Sequence, residues 1–227
     1  MRPLYSSPKL KDVSAKLFVK SLGRTYVRCF CDGNVEDAVD DDILPKLRKI
    51  KSFERNDVQE FFPFIDKLIG EVPSLKKLPL FQGYLVLNVM NVMADEDATM
   101  TGIIDWELSP PRPFGVACSA IHYLAGEIID GVTRQRSAFE EIDRGFWEEL
   151  ISKTPKVAQT KIMDNPEAVQ TAFLLGTIFK AIEVAGDQVF ISKMSLHQLP
   201  LLLRYRIPAI RGSGFAYSGK FEDGITV

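Results

Sequence analysis

Cysteine is scarce in this chain, with three among 227 residues, at positions 29, 31 and 118. Cys29 and Cys31 are too close for an ordinary disulfide, and with two histidines in all, no zinc-ligand spacing emerges. Basic excess is lacking as well. Twenty-eight Lys and Arg stand against 30 Asp and Glu, a net charge of -2, so no nucleic acid partner is expected. No apolar run approaches the roughly 18 residues that span a bilayer. The opening MRPLYSSPKLKD lacks the apolar centre of a signal peptide. These absences give a cytoplasmic protein with reduced thiols and no membrane span. Repeats and low-complexity tracts are missing too, and no feature specifies an oligomeric state. The hydrophobic content, 46%, suffices for one sizeable core, or one domain with an appendage.

The stretch LVLNVMNVMADEDATMTGIIDWE, residues 85–107, carries the most information. β-Branched residues, partial alternation and an acidic turn at Asp95-Glu96-Asp97 predict a β-hairpin. Its first strand opens at Asn91, its second runs from Thr99 to Ile104, and Asp105-Trp106-Glu107 closes it. Such a hairpin returns Asn91 and Asp105 to the same end. A carboxylate beside an amide oxygen suits a hard cation such as Mg²⁺ carrying nucleotide phosphates. The plainer alternative is that Asn91 begins a strand and Asp105 caps a turn.

The wording of this stretch resembles the catalytic centre of the aminoglycoside phosphotransferase and choline kinase-like family, especially its fungal members. That pattern runs H-G-D-L-H-P-x-N-I-L-V-D and, a few residues on, G-I-I-D-W-E. Asn91-Val92-Met93 matches N-I-L, and Thr101-Gly102-Ile103-Ile104-Asp105-Trp106-Glu107 matches the second half almost letter for letter. The resemblance implies that Asn91 and Asp105 occupy the metal-holding positions. It extends over roughly residues 55–125.

The first half of the motif departs from the family. Its His falls on Tyr84, its Gly on Leu85 and its catalytic Asp on Val86, while Asn88 stands where the family often has His or Asn. Valine has no lone pair with which to accept the acceptor hydroxyl's proton. No Asp or Glu occurs between Lys76 and Met93 to take its place. The family also needs a β-rich upper lobe with a glycine-rich strand pair over the phosphates. The roughly 80 residues before the motif contain no G-x-G-x-x-G. The implied fold is therefore mainly α (α+β), a phosphotransferase C-terminal lobe with a small β-hairpin. Residues 1–55 form an N-terminal segment, a possible reduced remnant, and residues 56–227 the helical domain.

Along the chain, Thr25 to Cys31 reads as a short strand before the turn Asp32-Gly33-Asn34. The acidic residues from Glu36 to Asp42 read as a solvated face or a helix start, paired with the basic run at Lys46–Lys51. Asn56 to Gly70 reads as a helix that Pro63 kinks or delays, and Val72 to Leu80 as a connector. Ser109-Pro-Pro-Arg-Pro is a stiff loop before an apolar helix from Gly115 to Ile129 carrying Cys118, His122 and Tyr123. Arg134 to Leu150 is a second helix. Asn165 to Ala185 is the clearest helix, capped by Asn165, started by Pro166 and stopped by Gly186. Its apolar middle makes it the buried spine. Ser192 to Tyr205 reads as the last helix, restricted by Pro200.

Without its base and upper lobe, the chain reads as a repurposed, non-phosphorylating protein acting on a largely hydrophobic small molecule. Asp105, Glu107 and His122 are the candidate catalytic groups, for isomerisation, elimination or cyclisation. Tyr84, Asn88, Trp106, Phe114 and Tyr123 are the candidate substrate contacts. No cofactor is expected under this reading. Mg²⁺ and ATP enter only if Asn91 and Asp105 still hold a nucleotide, and a third alternative is a pseudokinase-like interaction module. Cys118 and His122, four apart, also suit a nucleophile–base pair on one helix face, against the plainer reading of a buried thiol near a packed imidazole.

Overall fold

The structure, a computed structural model, describes residues 2–3, 22–23, 25–83, 91–95, 100–104, 109–122, 126–129, 132–135 and 139–208. It begins with β1 (Arg2–Pro3), followed after an interval by a 3-10 turn at Val27–Cys29. Next, α1 (Val35–Asp37) runs through a π-helical Ala38–Ile43 into α2 (Leu44–Lys51), and α3 (Asn56–Gln59) leads to α4 (Phe62–Glu71). A 3-10 turn at Val72–Lys77 precedes β2 (Leu80–Phe81), β3 (Val92–Ala94), β4 (Met100–Ile103) and β5 (Arg112–Pro113). After a 3-10 turn at Val116–Ala120 come β6 (Gly126–Ile129), β7 (Val132–Gln135), α5 (Phe139–Lys153) and α6 (Lys156–Met163). The chain continues through α7 (Pro166–Ala181), β8 (Ile182–Ala185), β9 (Gln188–Ile191) and α8 (Lys193–Leu202). Among the described residues this is a mainly helical fold with four small antiparallel sheets. At that level it agrees with the sequence reading.

The spine is α7, as its composition predicts. It is buried on nearly every face, from Ala168 through Phe179. The 116–120 turn, the 72–77 turn, α4, α6, α8 and β8 all pack against it. Each fully buried Leu, Ile or Phe there contributes about 1.5–3 kcal/mol of transfer free energy. Tyr26, Val39, Ile43, Leu47 and Ile50, all from the first 55 residues, belong to the same buried cluster. Pro166 takes the first turn, where its missing N–H costs nothing. Asn165 does not cap through its side chain; its amide instead donates to the Lys161 carbonyl at 2.8 Å.

Several boundaries differ from the sequence reading, each for a physical reason. The spine helix ends at Ala181 rather than Ala185, because Ile182–Ala185 pairs with Gln188–Ile191 as a hairpin. Gly186 serves that hairpin's two-residue turn at φ +57°. The expected helix from Gly115 to Ile129 is a 3-10 turn at its start, and Gly126–Ile129 is a strand paired with Val132–Gln135. These two strands flank Asp130-Gly131, a dipeptide that favours tight hairpin turns. The following helix accordingly starts at Phe139, not Arg134. Thr25 to Cys31 is not a strand, since Leu22, Tyr26 and Cys29 face the core at helical spacing. The 56–70 helix is two helices, and Pro63 lies in the first turn of the second. The last helix closes at Leu202, two residues past Pro200, and is capped by Ser192, whose hydroxyl accepts from the Ser195 N–H.

The acidic stretch is a helix start, with the Asn34 side chain accepting from the Glu36 N–H at 3.0 Å. Its charges also bind distant elements. Asp40 takes Lys76 at 2.7 Å, and Asp42 takes both Lys46 and the buried Arg112.

Candidate functional site

The expected hairpin is present. β3 pairs antiparallel with β4, with Val92 opposite Ile103 and Met93 opposite Gly102, and the register shifts between Met93 and Ala94. At its open end the Asn91 carbonyl accepts from the Ile104 N–H at 2.8 Å. Asn91 therefore lies across the ladder from the residue that precedes Asp105 in the chain. β1 adds a third strand on the far side of β3, with Arg2 opposite Ala94. Val92 is buried and anchors the hairpin in the core, while Ile104 is 49% exposed. Tyr84, Asn88, Asp105, Trp106, Glu107 and Tyr123 lie outside the described residues, as does Val86. Among the described residues no group of three or more His, Cys, Asp or Glu could hold a metal ion.

Phe114 and His122, the other residues named from sequence, belong to one line of packed rings. β5 pairs with β2 and delivers Phe114 onto Phe30 (5.5 Å, stacked) and Phe81 (5.5 Å, edge-on). The line continues through Trp147 to Phe173 at 5.9 Å, then to Tyr205 at 4.6 Å and His122 at 4.4 Å. Phe114 has no exposed surface. The chain turns beneath it at Gly115, where φ is +107° and an added Cβ would meet Ala172 and the Val169 carbonyl. From the other side, Gly176 on α7 approaches the 116–120 turn more closely still.

That close approach places His122 inside the protein. It is 4% exposed, parallel to Phe139 and edge-on to Phe173 and Tyr205. Burial, aided by the Lys180 charge, lowers its imidazole to about 3, so the ring is neutral at physiological pH. Among the described residues its Nε2 has no hydrogen-bond partner. Cys118 is fully buried and burial pushes its thiol far up, so the thiolate that nucleophilic chemistry needs is disfavoured.

The structure adds groups that sequence reasoning missed. Asp143, on α5, is 3% exposed and accepts from the Tyr205 hydroxyl at 2.7 Å. The Trp147 indole N–H donates to the same hydroxyl at 2.7 Å. Burial raises the Asp143 carboxyl to about 7, outweighing the hydrogen bonds that favour its charged form. Burial also lowers the Lys180 amine to about 7. A neutral carboxylic acid, a phenol and a neutral imidazole are thus assembled against aromatic walls, the setting in which proton-transfer groups are tuned. Asp143 had a sequence signal, for it falls on the buried stripe with Phe139, Ile142, Phe146 and Leu150. Tyr205, beyond the end of α8, had none.

Comparison with family models, with curated proteins and with solved structures gave no significant match. Among the described residues no helix is long and apolar enough to cross a membrane.

Proposed function

We propose that this chain is a non-phosphorylating protein built on a phosphotransferase-like C-terminal lobe, acting on a largely hydrophobic small molecule by acid–base chemistry. The observation that carries the reading is the β3–β4 hairpin. Its Asn91–Ile104 bond holds together the two ends of the half-motif that resembles the phosphotransferase centre. The position of the catalytic Asp is Val86, and no nearby carboxylate replaces it. Proton transfer is the chemistry left to the retained residues. Asp105 and Glu107 act as acid and base, while Tyr84, Trp106 and Tyr123 supply apolar contacts and Asn88 a polar one. His122, neutral and ring-packed, carries no positive charge at pH 7 and acts through packing and polarity. Phe114, with no exposed surface, contributes packing rather than a substrate contact.

The test uses 1-anilinonaphthalene-8-sulfonate as an apolar anionic probe of the native protein. One saturable site is expected, weakened at least about tenfold in Trp106→Ala and in Tyr84→Ala, each with an unchanged unfolding transition. Binding that never saturates, or that neither substitution alters, contradicts the reading.

A further inference from the structure

The segment after α8 is fastened to the body by an unusual set of bonds. The Tyr205 hydroxyl is held between the Trp147 indole N–H and Asp143 Oδ1, both at 2.7 Å. Its ring stacks on Phe173 and covers one side of His122. Gln170 of α7 clamps the backbone on either side of Arg206. It donates to the Tyr205 carbonyl at 3.0 Å and accepts from the Ile207 N–H at 3.1 Å. The partners that Asp143 meets in this cluster, the Tyr205 hydroxyl and the Trp147 indole, are uncharged donors. A carboxylate enclosed without a cation is costly.

We propose that residues 204–207 form a proton-controlled strap, closed over His122 while the Asp143 carboxyl carries its proton and released as that proton passes to solvent. Opening hydrates Asp143 and restores ordinary carboxylate acidity, so loss of the proton and loss of the docked Tyr205 are one linked event. The proposal does not depend on the reaction assigned to the hairpin.

Among the other titratable groups described around the strap, Lys180 reaches this window, its amine lowered to about 7 by burial. Tyr205 itself stays neutral, its hydroxyl raised well above 10 by burial. Cys118, on the 116–120 turn, is likewise held as a thiol. His122 is neutral above about pH 4, and Lys180 on α7 acts on His122 rather than on Asp143. Arg206 faces Glu167 of α7. Gln170, Phe173 and Trp147 bear no charge.

Trypsin cleavage of the full native chain after Arg204 and Arg206 reads the opening, normalised at each pH to cleavage of a short arginyl peptide. With the carboxyl at about 7 closed and at its ordinary 3.8 open, opening rises about tenfold per pH unit between these values and levels off above. Normalised cleavage should therefore rise on the order of twentyfold from pH 5.5 to 7.5. Asp143→Asn should remove the rise. Tyr205→Phe, which loses the hydroxyl link, should be cleaved faster than the parent at pH 5.5. The proposal is overturned if parent cleavage does not vary with pH, if Asp143→Asn keeps the same rise, or if Tyr205→Phe matches the parent at pH 5.5.

Discussion

Alanine at Gly176 should destabilise the protein, although alanine is the better helix former. An added Cβ would lie 1.8 Å from the Val116 carbonyl oxygen, 2.8 Å from its carbonyl carbon and 3.0 Å from Ser119 Oγ. Non-bonded carbon contacts are comfortable near 3.5–4.0 Å, so the 116–120 turn would have to retreat by about 1.5 Å. The obstacle is backbone, which cannot rotate away as a side chain tip would. Overpacking of this kind costs about 1–3 kcal/mol, and a clash this deep belongs at the upper end. Helix propensity returns about 1 kcal/mol, leaving a net loss of about 2 kcal/mol. Urea unfolding followed by far-UV circular dichroism measures it. Gly145, inside α5, provides the opposite case, since no atom lies within 4 Å of its would-be Cβ. Gly145→Ala should stabilise by up to about 1 kcal/mol. The packing between α7 and the turn would be wrongly described if Gly176→Ala equalled the parent, or if both substitutions shifted stability in the same direction.

Asp143 makes a pH-dependent prediction for global stability. Its folded carboxyl, at about 7, lies above the ordinary value of 3.8, so the folded state binds the extra proton between them and stability falls as pH rises through that window. At about 1.4 kcal/mol per unit the full loss is on the order of 4 kcal/mol. Lys180, its amine lowered to about 7 by burial, acts in the opposite sense above about pH 6.5, where the folded state loses a proton that the unfolded state keeps, so the comparison is made below that pH. Urea unfolding at pH 4.5, 5.5 and 6.5 should show this slope in the parent and a flat profile in Asp143→Asn; equal slopes would remove Asp143 as its source. Asp42→Ala should cost about 2 kcal/mol, because it strands the buried Arg112 guanidinium over Phe179. Arg112 and Lys46 together hold the Asp42 carboxyl below its usual range despite burial, so the pair's contribution is lost only as pH falls below about 4. Chemical denaturation at pH 3 and 6 measures both effects, and an unchanged Asp42→Ala midpoint would show that the pair contributes nothing.

What the sequence reveals depends on how local the determining interaction is. The β3–β4 hairpin was legible because its turn residues and alternation lie within a few positions of one another. The spine helix was legible because an all-round apolar segment opened by Asn-Pro has one stable place, at the centre of a core. Its end was misread because β-branched Ile182 and Val184 continue the apolar pattern while pairing with Val189 and Ile191 as a hairpin. The turn at 116–120 was misread as the start of a long helix because what tightens it is tertiary, the close approach of Gly176. Of the named site residues, Asn91, Phe114 and His122 fall within the described structure. Asn91 is at the hairpin end, and the other two stand at opposite ends of the aromatic line. The Tyr205–Asp143 bond joins residues 62 positions apart, and nothing local announces it.

Calorimetric titration with ATP, in the presence and absence of Mg²⁺, tests the central claim most directly. The account predicts no heat of binding at millimolar nucleotide under either condition. Metal-dependent heat that disappears in Asp105→Ala would contradict it and return the chain to nucleotide chemistry.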